Sequence, residues 1–119
     1  SSLTKKVAAA NREYHATLLE MHADVRSLAF ELTSLKETIV TLEQEIIPQL
    51  ADVHQTLNEY YSRGLADILE VLQSRGTLLE KELEAVDLRT EWLSLAADLY
   101  EHSGILYTFS SHEFSGKEH

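Results

Sequence analysis

Six histidines and several closely spaced carboxylates are the side chains of this sequence that could do chemistry. A transition-metal site would need about four convergent ligands. His15 and His22 stand seven apart, two helical turns and about 10 Å along one face, too far to share an ion directly. His54, His102, His112 and His119 have no histidine partner at the i+3 or i+4 position. Glu113 beside His112 and Glu118 beside His119 would chelate weakly. The expectation is surface histidines, with no metal site and no cofactor. Asp67 with Glu70, and Glu80 with Glu84, lie one helical turn apart, where an acid–base pair could form. Carboxylates at that spacing are usually solvated helix surface, and no pocket-forming element accompanies them. There is no glycine-rich phosphate loop, and Ser110, Ser111 and His112 are mere sequence neighbours. Nothing converges into a catalytic constellation, so the chain reads as no enzyme.

The elements that must carry these residues are helices. The 119 residues suit one domain and are 44% hydrophobic but only 8% aromatic, with one proline and four glycines. That is the composition of long helices rather than of a sheet with its turns. A formal charge of −10 argues against nucleic acid and anionic lipid as partners. No cysteine is present, which excludes disulfides and thiolate metal sites. No apolar run reaches the ~20 residues that span a bilayer as a helix. The opening residues, SSLTKKVAAANREYH, lack the apolar core of a signal peptide.

Leu18, Met21, Val25, Leu28, Leu32, Leu35, Ile39, Leu42 and Ile46 alternate in steps of three and four, the seam of a left-handed coiled coil. Val7 and Tyr14 extend it backward, and Leu50, Val53, Leu57 and Tyr60 extend it forward. The step from Ile46 to Leu50 is four where three was due, a stutter that coincides with Pro48. A kink near Glu45 within a continuous helix is expected. The second half carries two apolar stripes. One holds Ile68, Leu72, Leu79, Leu83, Val86, Leu93, Ala97 and Tyr100; the other holds Val71, Leu78, Ala85, Leu88, Trp92, Leu95 and Leu99. Two stripes imply neighbours on two sides, as in a bundle or a closed ring of helices.

Between the halves lies EYYSRGLADILE. Glycine enters the left-handed conformation that ends helices without steric cost, and Leu65 beyond it can fold back on the last turn. Asp67 can then cap the next helix, with Glu70 completing a capping-box-like pair. The expected fold class is all-α: a long antiparallel α-helical hairpin assembling into a helical bundle or α-barrel. Helix 1 would span about 3–62, the tip 63–66 and helix 2 about 67–103, making residues 1–103 the hairpin and 104–119 a carboxy-terminal tail. Within the tail, ILYTF has the content of a short strand or apolar clip. Residues 26–62 would pair with 67–103, leaving the amino-terminal overhang to be covered by another chain, by the tail or by sequence beyond these residues. Self-association follows. Gly76, without flanking caps, reads as a small residue permitting close helix approach.

The ordered set of motifs resembles the TolC-type outer-membrane efflux protein family, closest to its CusC- and CzcC-like members. Its long hairpins carry LLPQ, an aromatic and a glycine turn, LDVLDAQRTLL, and a helix ending near LYxALG. Here the corresponding stretch is IIPQLADVHQTLNEYYSRGLADILEVLQSRGTLLEKELEAVDLRTEWLSLAADLYEHSG. Pro48, Tyr61, Gly64, Leu69, Val71, Leu72, Leu78, Leu79, Tyr100 and Gly104 stand where the pattern puts them, and DVRSLAFELTSLKETI resembles the preceding helix. Residues 24–104 are covered. Ser74 and Gly76 depart from it, since alanine and arginine or threonine are more usual there.

The resemblance implies the carboxy-terminal hairpin repeat, in the periplasmic part of a Gram-negative outer-membrane protein. Trimers of the family close an α-barrel of twelve helical strands, and a lone hairpin could instead dimerise. The tip, matched here by Tyr61, Arg63, Gly64, Leu65 and Asp67, would meet a periplasmic adaptor (membrane fusion) protein, with iris-like opening of the duct. The chain, having one hairpin and no membrane strands, would be a fragment or a shortened relative. The rival reading is a self-associating coiled-coil interaction module with no transport role.

Overall fold

The computed structural model describes the backbone of residues 1–118 and the side chains of residues 1–111. The elements are α1 (Ser2–Thr41), a π-helical turn (Leu42–Ile46), α2 (Ile47–Ser62) and α3 (Ile68–Glu118), with no strand among the described residues. The fold is an all-α antiparallel hairpin. It comprises two compact units, Ser1–Leu32 with Ser94–His119, and Thr33–Leu93.

In the Thr33–Leu93 unit, antiparallel pairing is visible in two contacts between the arms. Arg89 of α3 grips Glu43, and Ser74 of α3 meets His54, so rising numbers on one helix face falling numbers on the other. Leu35, Ile39 and Leu42 of the first arm and Val71, Leu78, Ala85 and Leu88 of α3 are the buried and half-buried residues of the seam. Leu42 is the most enclosed of these, at 4% exposed.

The heptad continues unbroken through Leu42 and then changes register. The inward residues beyond it are Ile47, Leu50, His54 and Leu57, so the step after Leu42 is five rather than four. Ile46 and Val53, expected in the seam, are 38% and 50% exposed, and Tyr60 is exposed as well. The cause is local. The Pro48 ring would clash with the Gln44 carbonyl one turn earlier and has no N–H to give it. The chain widens by one residue, and the Ile47 N–H bonds the Leu42 carbonyl across five residues instead of four. The expected kink near Glu45 is thus a π-turn inside a continuous rod, and it moves the stripe by one residue.

The reversal has the geometry of a Schellman motif. Gly64 has φ +75°, the one positive φ among the described residues. The Leu65 N–H bonds the Tyr60 carbonyl at 2.8 Å and the Gly64 N–H bonds the Tyr61 carbonyl at 3.0 Å. The Asp67 carbonyl accepts the first bonds of α3, from Glu70 and Val71. Asp67 therefore stands at the N-cap position, and the capping-box bond between its side chain and Glu70 does not form. Gly76 is exposed, and a Cβ there would meet nothing within 4 Å, so the expected close helix approach is absent.

In the other unit, α1 presents Tyr14, Leu18, Met21, Val25 and Leu28 inward, and α3 presents Leu95, Leu99, His102, Leu106 and Phe109. This corrects the expected end of helix 2 at 103. The helix runs through Gly104, where the Thr108 hydroxyl donates to the Gly104 carbonyl at 2.9 Å. Leu106 and Phe109 continue the three-four spacing from Leu99 and His102, and seam burial outweighs one glycine, worth roughly 1 kcal/mol. ILYTF is accordingly helical, neither strand nor clip. Tyr14 stacks on Phe109 with centroids 5.3 Å apart, and its hydroxyl donates to the Phe109 carbonyl at 3.3 Å. The α1 segment read as an overhang is thus met at Tyr14 by the tail. Leu3 and Val7 remain exposed.

Candidate functional site

The tip is built by the reversal itself. The Schellman bonds consume the Tyr60 and Tyr61 carbonyls and turn the backbone so that Arg63, Gly64 and Leu65 project together at the end of the Thr33–Leu93 unit. Leu65 is 71% exposed, so it does not fold back over the last turn; Ala66 is the half-buried residue of the reversal. Tyr60, Tyr61, Ile68 and Leu69 are exposed around it. The five residues singled out from the sequence, Tyr61, Arg63, Gly64, Leu65 and Asp67, therefore share one solvent-facing turn. It offers apolar surface with one cation and one carboxylate, and no converging acid–base or nucleophile arrangement.

The second feature lies along α3. Of the two stripes read from the sequence, the one holding Val71, Leu78, Ala85, Leu88 and Trp92 faces the partner arm. The other is open: Ile68, Leu72, Leu79, Leu83, Val86 and Leu93 are all exposed. The covered stripe includes polar Ser74 and Lys81 at seam positions. Six large exposed aliphatic residues on one helix face form the kind of apolar patch that marks interaction sites.

Two polar contacts between the arms were not foreseen. Arg89 donates Nε and Nη2 to the two Glu43 oxygens, both at 2.6 Å, a bidentate fork at the π-turn. This hydrogen bonding holds the Glu43 carboxyl below the usual carboxylate range and pushes the Arg89 guanidinium up. A carboxylate with a depressed folded pKa adds stability that is present above its unfolded value and lost as pH falls through the folded one. The melting difference between the wild type and Glu43→Gln should therefore be full above about pH 4.5, the ordinary glutamate value, and shrink below it. A pH-independent difference between the two thermal scans would sink that assignment. The second contact is His54 Nδ1 to Ser74 Oγ, 2.8 Å, with Ser74 in turn donating to the Val71 carbonyl at 2.8 Å. His54 consequently donates from Nδ1. Reading it as a surface histidine missed this, and its one signal was Ser74 standing where alanine is more usual.

No three histidine, aspartate or glutamate side chains come together to hold a metal among the described residues. His15 lies against the Tyr14 ring edge, and His102 bonds the Asp98 carbonyl at 2.8 Å. The side chains of His112, Glu113, Glu118 and His119 lie outside the described residues. No described helix is long and apolar enough to cross a membrane.

Residues 2–104 match the outer membrane efflux protein family. The chain belongs to this family. Neither the curated proteins nor the solved structures contain one that matches it. Membership gives the geometry a general role, that of a component of an outer-membrane efflux duct.

Proposed function

We propose that the hairpin is the periplasmic helical segment of an outer-membrane efflux duct, exporting small molecules or metal ions, and that its tip docks a periplasmic adaptor protein. The observation that carries the tip assignment is the exposed Leu65 on a glycine-dependent turn. A leucine held in water at the end of a fixed turn gains when a partner covers it. Tyr60, Tyr61 and Leu69 widen the apolar patch, while Arg63 and Asp67 supply charges that fix orientation more than affinity. The open α3 stripe gives a second copy of the chain its place, so that several hairpins side by side form a wall, trimeric in the assembled duct. The chain performs no bond chemistry in this role. It guides a passing solute and transmits the adaptor's hold, the tips shifting to widen the entrance.

Binding of the periplasmic adaptor to the full chain tests the docking. Gly64→Pro forces φ from +75° to about −65°, and Leu65→Asp puts a carboxylate at the centre of the patch. Both should abolish adaptor binding while circular dichroism shows nearly unchanged helix content, since residues 63–67 lie outside the helices. Normal docking by both variants would remove the tip from the account.

A further inference from the structure

The π-turn points to a movable element. On α2 three columns run at seven-residue spacing: Ile47, His54 and Tyr61; Leu50 and Leu57; and Ile46, Val53 and Tyr60. Ile46 precedes α2 by one residue and belongs to the π-turn. At 3.5 residues per turn, neighbouring columns lie about 50° apart. The structure uses Ile47 and His54 together with the leucines, and it leaves the column of Ile46, Val53 and Tyr60 exposed. The exposed column is the more apolar of the two, because the covered one has His54 at its centre.

We infer that α2 is a two-register helix that rolls by about 50° on its Leu50–Leu57 ridge, exchanging Ile47 and His54 for Ile46 and Val53 in the seam. The extra residue of the π-turn is what the roll takes up. A regular α-helix continued from Leu42 would place Ile46 inward and then Leu50, Val53 and Leu57. That is the stutter the sequence spells. Three groups hold the observed register. The Pro48 ring excludes a regular turn against the Gln44 carbonyl. His54 bonds Ser74, which is anchored to the Val71 carbonyl. Arg89 clasps Glu43 inside the π-turn. On the first arm all three lie between Glu43 and His54, the stretch that the roll would move.

The roll has a consequence at the reversal. The Tyr60 and Tyr61 carbonyls accept the bonds from Arg63, Gly64 and Leu65, so turning α2 turns the tip with it. Tyr60 moves toward the seam and Tyr61 away from it. The inference stands on the π-turn and the columns alone, and holds whether or not the tip docks an adaptor.

The chain has no cysteine, so introduced pairs report register cleanly. His54→Cys with Ser74→Cys reads the observed register, and Val53→Cys with Ser74→Cys reads the rolled one. Each pair is placed in the full chain in three backgrounds: otherwise wild type, Pro48→Ala, and Pro48→Ala with Gln44 deleted. Pro48→Ala restores the N–H and removes the ring, so a regular helix with every residue present must roll. The 53–74 cross-link should rise at least several-fold over the wild-type background while the 54–74 cross-link falls. Deleting Gln44 turns the five-residue step into four and should return the yields to the original pattern. Helix content by circular dichroism checks that all variants fold. Persistence of the 54–74 preference in the folded Pro48→Ala protein overturns the inference, as does a shift that the deletion leaves in place.

Discussion

Replacing Leu79 and Leu83 together by glutamate should turn an associating protein into a monomer with its helices intact. Both side chains lie on the open stripe of α3, 48% and 66% exposed, and neither supports the covered seam. A second copy covering that remaining surface would bury about half of each leucine. At 1.5–3 kcal/mol for complete burial this is roughly 1–2 kcal/mol each. Two leucines then contribute about 3 kcal/mol per interface, on the order of a hundredfold in association constant, before the cost of desolvating the new carboxylates. The chain already carries a formal charge of −10, so added negative charge between copies is opposed further. Sedimentation of wild type and double variant over a concentration series reads the effect. If both sediment alike, the open stripe is not where copies of the chain meet.

The second large effect is internal. Leu42→Ala should lower the melting temperature by on the order of 10–20 °C, from a cavity cost of about 2–5 kcal/mol in a fold of marginal stability. Leu42 is 4% exposed and its carbonyl accepts the long bond of the π-turn, so the seam around it cannot collapse freely. The same substitution at Leu83 is the control. It removes the same atoms from water-facing surface and should change monomer stability by less than about 0.5 kcal/mol. Equal losses at the two positions in thermal scans would mean that the buried stripe has been assigned to the wrong face.

Much of the hairpin was legible because its determinants are short-range. From Leu18 to Leu42 the three-four spacing allows one helical face, and Tyr14 joins it at the same register. Gly64 was readable for a similar reason: the one turn that places glycine at positive φ between two helices needs no distant partner to specify it. The tip residues followed from the turn, being its immediate neighbours. The α3 stripes were legible as a pair, since each has helical periodicity on its own.

Which stripe is covered could not be read from periodicity. Both are apolar, and the covered one even carries polar Ser74 and Lys81. That choice depends on which face meets the first arm, a property of the pairing and not of either helix. The register beyond Leu42 was hidden because α2 offers two adjacent columns that both read as seams. A single proline, widening one turn, selects between them. The end of α3 was misread because Gly104 and the β-branched and aromatic residues after it disfavour helix locally. Packing of Leu106 and Phe109 in line with the seam, and of Tyr14 on Phe109, outweighs that preference. The sequence by itself determined that helices form, where the chain reverses and that apolar surface exceeds what one pairing covers. Only the tertiary structure decided which surface stays open and how His54 and Glu43 are held, because those depend on residues 20 and 46 positions away along the chain.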